Sequence, residues 1–108
     1  MYFLDPSERE TRELAPGARI RAFSGENMTL SLVEIDPHSL VPNHTHPHEQ
    51  GGIVIEGELE MNIGGASKKL KPGDMYIIPG EVEHWVKTEI SSARVLDVFS
   101  PVREEFKY

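Results

Sequence analysis

Three of the chain's five histidines, His44, His46 and His48, lie within the segment Pro42–Gln50, together with a carboxylate and a carboxamide. Imidazole nitrogens and the oxygens of such groups are ligands that suit zinc, iron, nickel and manganese. On a β-strand His44 and His46 would project from the same face, because side chains alternate along a strand. Two prolines in the segment disfavour a helix. We therefore expect a metal site carried by a strand, which needs a further ligand from elsewhere in the chain.

Length and composition restrict what surrounds this segment. A chain of 108 residues forms one domain. It has no cysteine, which excludes disulfides and thiolate ligands and suits a reducing cytoplasm. A formal net charge of −7 disfavours nucleic acid and anionic membranes as partners. We expect no signal peptide in residues 1–6 and no membrane span, since no apolar run is long enough.

Turn signals recur along most of the chain, for example at Gly64-Gly65, Pro72-Gly73 and Pro79-Gly80. The runs between them have the length of strands, and none shows a helical stripe. Residues 1–17 are polar and irregular, and we predict an N-terminal arm there. Residues 18–108 are predicted to form an all-β domain, either a sandwich or a small barrel.

Two kinds of strand pattern occur in this domain. Leu59, Met61 and Ile63 alternate with polar residues, as in a strand with one buried face. The runs Ile53–Ile55 and Met75–Ile78 are continuously apolar instead. Strands covered on both sides have this pattern, so we expect both runs to be buried on both faces.

The last predicted strand, Ala93–Ser100, carries a carboxylate among apolar residues. Asp97 and Phe99 share one face of it, and Arg103 follows shortly after its end. A buried carboxylate must be paired or solvated, because its burial alone is prohibitive. Two interpretations stay open: Asp97 and Arg103 form a salt bridge that closes the strand, or both serve a functional site. Phe99 is either a core residue or part of that site.

The histidine segment resembles the first motif of the cupin family. That motif reads His-x-His, three or four residues, Glu, six residues, Gly, and here it corresponds to His44, His46, Gln50 and Gly57. The ligand glutamate of the motif is replaced by Gln50. Glu49 lies one residue out of register and so on the other face of a strand.

The second cupin motif is matched by Gly73, Pro79 and His84 at the expected spacing. Glu81 stands where the motif has a glycine, and Thr88 where it has an asparagine. The resemblance implies a double-stranded β-helix, or jelly-roll barrel, with one divalent transition metal ion inside, whose identity as Zn, Ni, Mn or Fe is left open. The competing interpretation makes these histidines ordinary surface or core residues and leaves their spacing to chance.

The segments HTHPHEQ, Lys71–Asp74 and Leu96–Glu104 together resemble the KdgF family of pectin-degradation cupins. This resemblance implies an enzyme that converts 4,5-unsaturated uronates to their linear keto form, a small anionic sugar acid as substrate, and a homodimer in the cytoplasm. The residue roles it implies are metal ligation by His44, His46, Gln50 and His84, and a substrate pocket with Asp97, Phe99 and Arg103.

Two other functions remain open at this stage. One is a different metal-dependent cupin enzyme, such as a dioxygenase or decarboxylase of a small carboxylic acid. The other is a cupin that binds a small molecule without catalysis. Gln50 bears on this choice, because three histidines and a glutamine leave a divalent site with a charge of about +2 rather than about +1. Such a site attracts an anionic oxygen more strongly and is a better Lewis acid.

Overall fold

Within residues 2–108 the chain folds into ten β-strands, with two short 3-10 helices near its ends. A computed structural model describes residues 2–108. The strands are β1 (Arg12–Ala15), β2 (Ala18–Ser24), β3 (Thr29–Ile35), β4 (Leu40–His44), β5 (Glu49–Gly57), β6 (Leu59–Ile63), β7 (Ala66–Leu70), β8 (Met75–Ile78), β9 (His84–Lys87) and β10 (Ala93–Ser100). The 3-10 helices are Pro6–Glu8 and Glu104–Phe106. No helix in the described residues is long and apolar enough to cross a membrane.

The strands form two antiparallel sheets. One has six strands in the order β1-β2-β3-β10-β5-β8, and the other has four in the order β4-β9-β6-β7. Strands that are distant in sequence are neighbours in the sheet, as β3, β10 and β5 show. The prediction of a single-domain, all-β double-stranded β-helix is confirmed.

The core lies between the sheets and follows from the alternation of the strands. In β2, β3 and β10 every second residue is buried. The six-stranded sheet contributes Ile20, Val33, Val54 and Val95, and the other sheet contributes Met61. Since side chains on a strand point alternately to the two faces, the same period leaves the other half of these residues on the outside.

One prediction about burial is wrong for the single chain. The runs Ile53–Ile55 and Met75–Ile78 are covered on one side only: Met75 and Ile77 are 74% and 69% exposed, whereas Ile78 is fully buried. The physical reason is that one of the two faces of β5 and β8 points into the barrel, while none of residues 2–108 covers Met75 and Ile77 on the other.

Part of the predicted N-terminal arm joins the sheet. Residues 12–15 form β1, which pairs with β2 at the edge of the six-stranded sheet. Arg9 stacks on the Tyr108 ring, 4.1 Å from its centroid, and donates a hydrogen bond to the Tyr108 carbonyl. This contact holds the two ends of the chain together. The domain boundary after residue 17 remains a prediction.

Candidate metal centre

Three histidines converge at one end of the barrel. His44 is the last residue of β4 and His84 the first of β9, and the two are paired in register. His46 lies beyond the end of β4, so the expected strand does not extend to it. Even so, a ring nitrogen of each of the three lies within 4.8 Å of the others. The predicted histidine set is therefore brought together, although the chain turns after His44 rather than continuing as a strand.

Backbone carbonyl groups orient all three imidazoles. The Nδ1 atoms of His44, His46 and His84 lie 2.7 to 3.0 Å from the carbonyl oxygens of residues 42, 48 and 82. A carbonyl oxygen only accepts, so each Nδ1 carries the proton and each Nε2 keeps its lone pair. Histidine ligands are usually held by such outer contacts, which set the tautomer and direct the free nitrogen toward a metal.

Gln50 faces the same point from the other sheet. Its Oε1 lies 3.0 Å from the His46 Nε2, and its carboxamide also hydrogen-bonds to the Asp97 carboxylate. A carboxylate oxygen accepts, so the amide nitrogen points to Asp97 and the amide oxygen to the histidines. Glu49, its neighbour, is exposed. The prediction that Gln50 rather than Glu49 faces the site, made from the alternation of side chains along a strand, agrees with this arrangement.

This donor set fits a divalent transition metal. The His84 Nε2 is buried and has no hydrogen-bond partner among the described residues. Two acceptors, the His46 Nε2 and the Gln50 Oε1, face one another, an arrangement that a cation between them would stabilise. Three imidazole nitrogens and one amide oxygen are ligands suited to zinc, nickel, manganese or iron.

Two of the three histidines, His46 and His84, are held in the neutral form that a metal requires. Burial lowers the pKa of His84 to about 4, and the charges of His44, His46 and Arg103 act in the same direction. Burial also lowers the pKa of His46, with a further contribution from Arg103. Near neutral pH both side chains are unprotonated, so a metal ion does not have to displace a proton from them.

Asp97 lies beside the histidine cluster and is buried, with 7% of its surface exposed. Burial raises its pKa to about 6, and hydrogen bonds from Tyr76 and Gln50 oppose this rise. The Tyr76 hydroxyl donates to Oδ1 at 2.5 Å. Since Tyr76 is buried beside this carboxylate, its own pKa is raised, and it stays a proton donor. The carboxylate is thus paired with two neutral donors rather than with a cation.

Tyr76 reaches Asp97 by passing over Gly52. Gly52 is the register partner of Asp97 on one side and of Tyr76 on the other. A Cβ atom at Gly52 would overlap both the Tyr76 ring and the Asp97 carboxylate. A glycine in the middle of a strand often marks such a close approach. The contact therefore depends on a residue without a side chain.

Arg103 and Phe99 form the wall next to the histidines. Arg103 donates from Nε to Glu105 at 2.6 Å and lies over the rings of Phe99 and Phe106, at 4.9 and 4.1 Å. Phe99 is buried, and its ring centroid is 5.5 Å from that of His46. No ion pair joins Arg103 to Asp97 within the part of the chain that the structure describes. The salt bridge that the sequence left open is not formed.

Comparison with known proteins gives the family. A model described as a cupin domain matches residues 31–99, which is more than half of the chain. This chain is a cupin. The match spans β3 to β10 and includes every histidine of the cluster.

Individual relatives of this cupin differ in how much of their length they share with it. The pectin degradation protein KdgF of Dickeya dadantii is 28% identical over 107 residues, which cover 97% of this chain and 96% of the relative. The solved structure of KdgF from a Halomonas species has a TM-score of 0.90 and 25% identity, with 99% of both chains covered. A germin-like protein of Arabidopsis thaliana, subfamily 2 member 2, is 35% identical over 94 residues, and the match spans only 43% of its length.

Two site residues of this cupin were missed by reasoning from the sequence alone. Tyr76 lies in a predicted strand, but the sequence assigns no role in the site to Tyr76 or to Gly52. The available signal was the pair of glycines at 51 and 52, followed by an apolar strand. That signal predicts a close approach without naming the partner, because the partner is set by the pairing of β5 with β8 and β10.

Proposed function

We propose that this cupin is a metal-dependent enzyme of uronate catabolism, which converts 4,5-unsaturated uronate monosaccharides to the linear keto form. The observation that carries the proposal is a buried carboxylate with a raised pKa, Asp97, facing the same cavity as two of the three clustered histidines, His44 and His84, and an arginine. The resemblance to KdgF over nearly the whole length of both chains supports the choice of substrate class. A cytoplasmic location is part of the same proposal.

The proposed metal ligands are His44, His46, Gln50 and His84. Three imidazoles and a carboxamide that ligate a metal contribute no negative charge, so a divalent ion would keep a charge of about +2. When bound, the metal would supply electrophilic polarisation of the sugar oxygens. The protein residues supply the proton transfers and the orientation of the substrate.

The proposed reaction is an isomerisation and needs no oxidant. Ring opening breaks the C1–O5 bond and transfers the proton of the anomeric hydroxyl to O5, which leaves an aldehyde at C1 and an enol at C5. Ketonisation then removes the enol proton, forms the C5 carbonyl, and uses the electron pair of the C4=C5 bond to take up a proton at C4. A single carboxylate can take up one proton and deliver another, and such a group works best when its pKa is near the working pH. Asp97, with its pKa raised to about 6, meets this requirement.

Arg103 is the proposed contact for the uronate carboxylate. The guanidinium group has five N–H donors, of which Glu105 takes the one at Nε. The remaining donors suit a bidentate pair with a carboxylate. Stacking on Phe99 and Phe106 holds the guanidinium plane in place, and Phe99 also offers an apolar surface to the sugar ring.

The test follows the ultraviolet absorbance of the unsaturated uronate released by a pectate or alginate lyase. The metal-loaded protein should accelerate the loss of absorbance without consuming oxygen, and a His44→Ala/His46→Ala variant should not. Asp97→Asn should lower turnover. Arg103→Ala should raise the Michaelis constant roughly 10- to 100-fold, the loss of a charged hydrogen bond. Lys107→Ala, an exposed cation on the same tail, serves as the control. No acceleration over the spontaneous rate, or oxygen uptake, would contradict the proposal.

A further inference from the structure

Ser31 is a buried polar residue on the inward face of β3. The inward side chains of this strand are those of Thr29, Ser31, Val33 and Ile35, and all four are buried. Val33 and Ile35 belong to the hydrophobic core, and the Thr29 hydroxyl accepts a hydrogen bond from the Arg103 backbone N–H at 3.0 Å. The Ser31 hydroxyl, in contrast, has no hydrogen-bond partner among the described residues. Ser31 thus neither fills the core nor joins a hydrogen-bond network of the protein.

An unpaired hydroxyl inside a protein calls for an explanation. Most buried polar groups are hydrogen-bonded, because an unpaired one loses its contacts with water without replacement. An aliphatic side chain at position 31 would avoid this loss, as Val33 does two residues later on the same face. The hydroxyl therefore needs a partner that residues 2–108 do not supply. That partner has to come from the cavity, which Ser31 lines together with the candidate metal centre.

Ser31 lies directly beside Asp97 on the cavity wall. The two residues are register partners on β3 and β10. The Cβ atoms of such partners are about 4.5 to 5.5 Å apart, so one ligand can contact both side chains. On the other side of Asp97 is Gly52, over which Tyr76 reaches the carboxylate. A ligand that meets the Asp97 carboxylate therefore has its adjoining atoms within reach of the Ser31 hydroxyl.

The other polar groups that contact Asp97 are already engaged. The Tyr76 hydroxyl donates to the carboxylate, and both ends of the Gln50 carboxamide have partners. Within the described residues, the other unpaired buried polar atom of this cavity is the Nε2 of His84, a proposed metal ligand. Apart from its histidines, the four-stranded sheet lines the cavity with apolar side chains, those of Val41, Leu59, Met61 and Val86. The free hydroxyl beside Asp97 is therefore that of Ser31.

The chemistry of the proposed reaction indicates which substrate group meets this hydroxyl. In a 4,5-unsaturated uronate the proton from Asp97 is delivered to C4, whose ring neighbours are C3 and C5. C5 carries the carboxylate group, for which Arg103 is the proposed contact, and C3 carries a hydroxyl group. The C3 hydroxyl is thus the substrate hydroxyl nearest to the carbon that Asp97 protonates. A serine hydroxyl both donates and accepts, so it suits a sugar hydroxyl as partner.

We propose that Ser31 binds the C3 hydroxyl of the unsaturated uronate and selects substrates that carry this group. The identity of the substrate rests on the proposed function, whereas the position of Ser31 rests on burial and strand register. Water can occupy the same place in the free protein, and the sugar hydroxyl then replaces one hydrogen bond by another. A sugar without this hydroxyl would leave Ser31 unpaired, and the site would discriminate against it.

A pair of unreactive sugars tests the contact apart from catalysis. The 4-deoxy hexuronate is the saturated counterpart of the substrate and cannot be ketonised, and the 3,4-dideoxy hexuronate also lacks the C3 hydroxyl. In calorimetric titrations of the metal-loaded wild type, the dideoxy sugar should bind about 3- to 10-fold more weakly, the loss of one neutral hydrogen bond. Ser31→Ala should bind both sugars equally, with the weaker dissociation constant.

Stability and kinetics separate a binding role from a structural one. Because the Ser31 hydroxyl has no partner among the described residues, Ser31→Ala should keep the urea midpoint of the wild type. On the unsaturated uronate it should raise the Michaelis constant about 3- to 10-fold and leave turnover almost unchanged, since the contact is present before and during the reaction. Ser24→Ala is the matched control: this exposed hydroxyl contacts Thr29 at 3.3 Å, and its loss should alter neither binding nor kinetics.

The ultraviolet assay and the titrations distinguish this inference from the proposed function. A wild type that does not accelerate the loss of absorbance would contradict the proposed function. An active wild type whose Ser31→Ala variant still prefers the 4-deoxy sugar would overturn only the role of Ser31. If Ser31→Ala failed to fold, the wild type alone would decide, because equal binding of the two sugars by the wild type would also overturn the contact.

Discussion

At the scale of single residues, Gln50 makes two contacts that require opposite ends of one carboxamide. Its oxygen faces the His46 Nε2 at 3.0 Å, and its nitrogen donates to Asp97. A glutamate could reach the histidines but has no proton to donate. Because Gln50 is uncharged, it brings no negative charge to the candidate metal site. It also stabilises the ionised form of Asp97.

We expect Gln50→Glu to keep metal binding and to lower turnover roughly 10- to 100-fold, the effect of losing a hydrogen bond to a charged group. The new carboxylate lowers the charge of the metal site by one and repels Asp97. Metal content and steady-state kinetics on the unsaturated uronate measure the two effects. Glu49→Gln, on the exposed neighbour, controls for the change in charge and should leave turnover unaltered. Equal turnover in Gln50→Glu and wild type would show that the charge of the site does not matter.

The Tyr76–Asp97 contact should affect how the stability of the protein depends on pH. The pKa of Asp97 is raised above the value of about 3.8 in the unfolded chain, to about 6. Its contribution to stability is therefore full below pH 3.8 and is lost as the pH rises through 6. Tyr76 opposes this loss because its hydroxyl donates to the ionised carboxylate.

Tyr76→Phe should thus destabilise the metal-free protein more at pH 8 than at pH 5. We expect the two destabilisations to differ by about 1 to 2 kcal/mol in the free energy of unfolding, which is the difference between a hydrogen bond to a charged group and one to a neutral group. Urea denaturation of both proteins at both pH values measures it. The titration of His46 and His84 is common to the two proteins and cancels in the comparison. The same destabilisation at both pH values would contradict a role for the ionised carboxylate.

At the scale of elements, β5 is the strand that connects the outer face to the cavity. Gly51 points outward and Gly52 inward, between Tyr76 and Asp97. The nearest heavy atom to a Cβ at Gly51 is 3.9 Å away, whereas a Cβ at Gly52 would overlap two side chains. Two adjacent glycines in one strand are therefore under very different constraints.

Gly52→Ala should lower the free energy of unfolding by about 1 to 3 kcal/mol, the usual cost of overpacking, and displace Tyr76 from Asp97. Gly51→Ala is the matched control and should cost much less. Urea denaturation under identical conditions compares the two. If the two variants were equally stable, the space over Gly52 would not be needed for the Tyr76 contact.

At the scale of the whole molecule, the proposed metal site connects the two sheets. His44 and His84 belong to the four-stranded sheet, and Gln50 to the six-stranded sheet. A ligand that binds only the folded state stabilises it in proportion to the logarithm of its concentration. A metal held from both sheets should therefore stabilise the barrel as a unit.

Saturation with a divalent ion at about 1,000 times its dissociation constant should add about 4 kcal/mol to the free energy of unfolding. Thermal melts of chelated and metal-loaded protein should differ by about 4 to 8 °C for each kcal/mol in a domain of this size. Elemental analysis should find one ion per chain. The His44→Ala/His46→Ala variant should not respond to added metal. If zinc, nickel, manganese and iron all left the melting temperature of the wild type unchanged, the proposed metal site would be wrong.

The sequence by itself determined the fold class and the histidine cluster. Alternation along a strand is a local property, so the shared face of Asp97 and Phe99 and the choice of Gln50 over Glu49 could be predicted from residue order. The spacing of His44, His46 and His84 pointed to one cluster because it resembles that of a known family, whose fold brings these positions together.

Only the tertiary structure decided which side chains contact Asp97 and Arg103. Strand register, set by pairing between distant segments, brings Tyr76 over Gly52 to Asp97. The turn after β10 places Arg103 against Glu105 and the aromatic rings rather than against Asp97. A continuously apolar strand has the same sequence pattern whether its second side is covered by its own chain or by another. For that reason the exposure of Met75 and Ile77 could be seen only once the chain was folded.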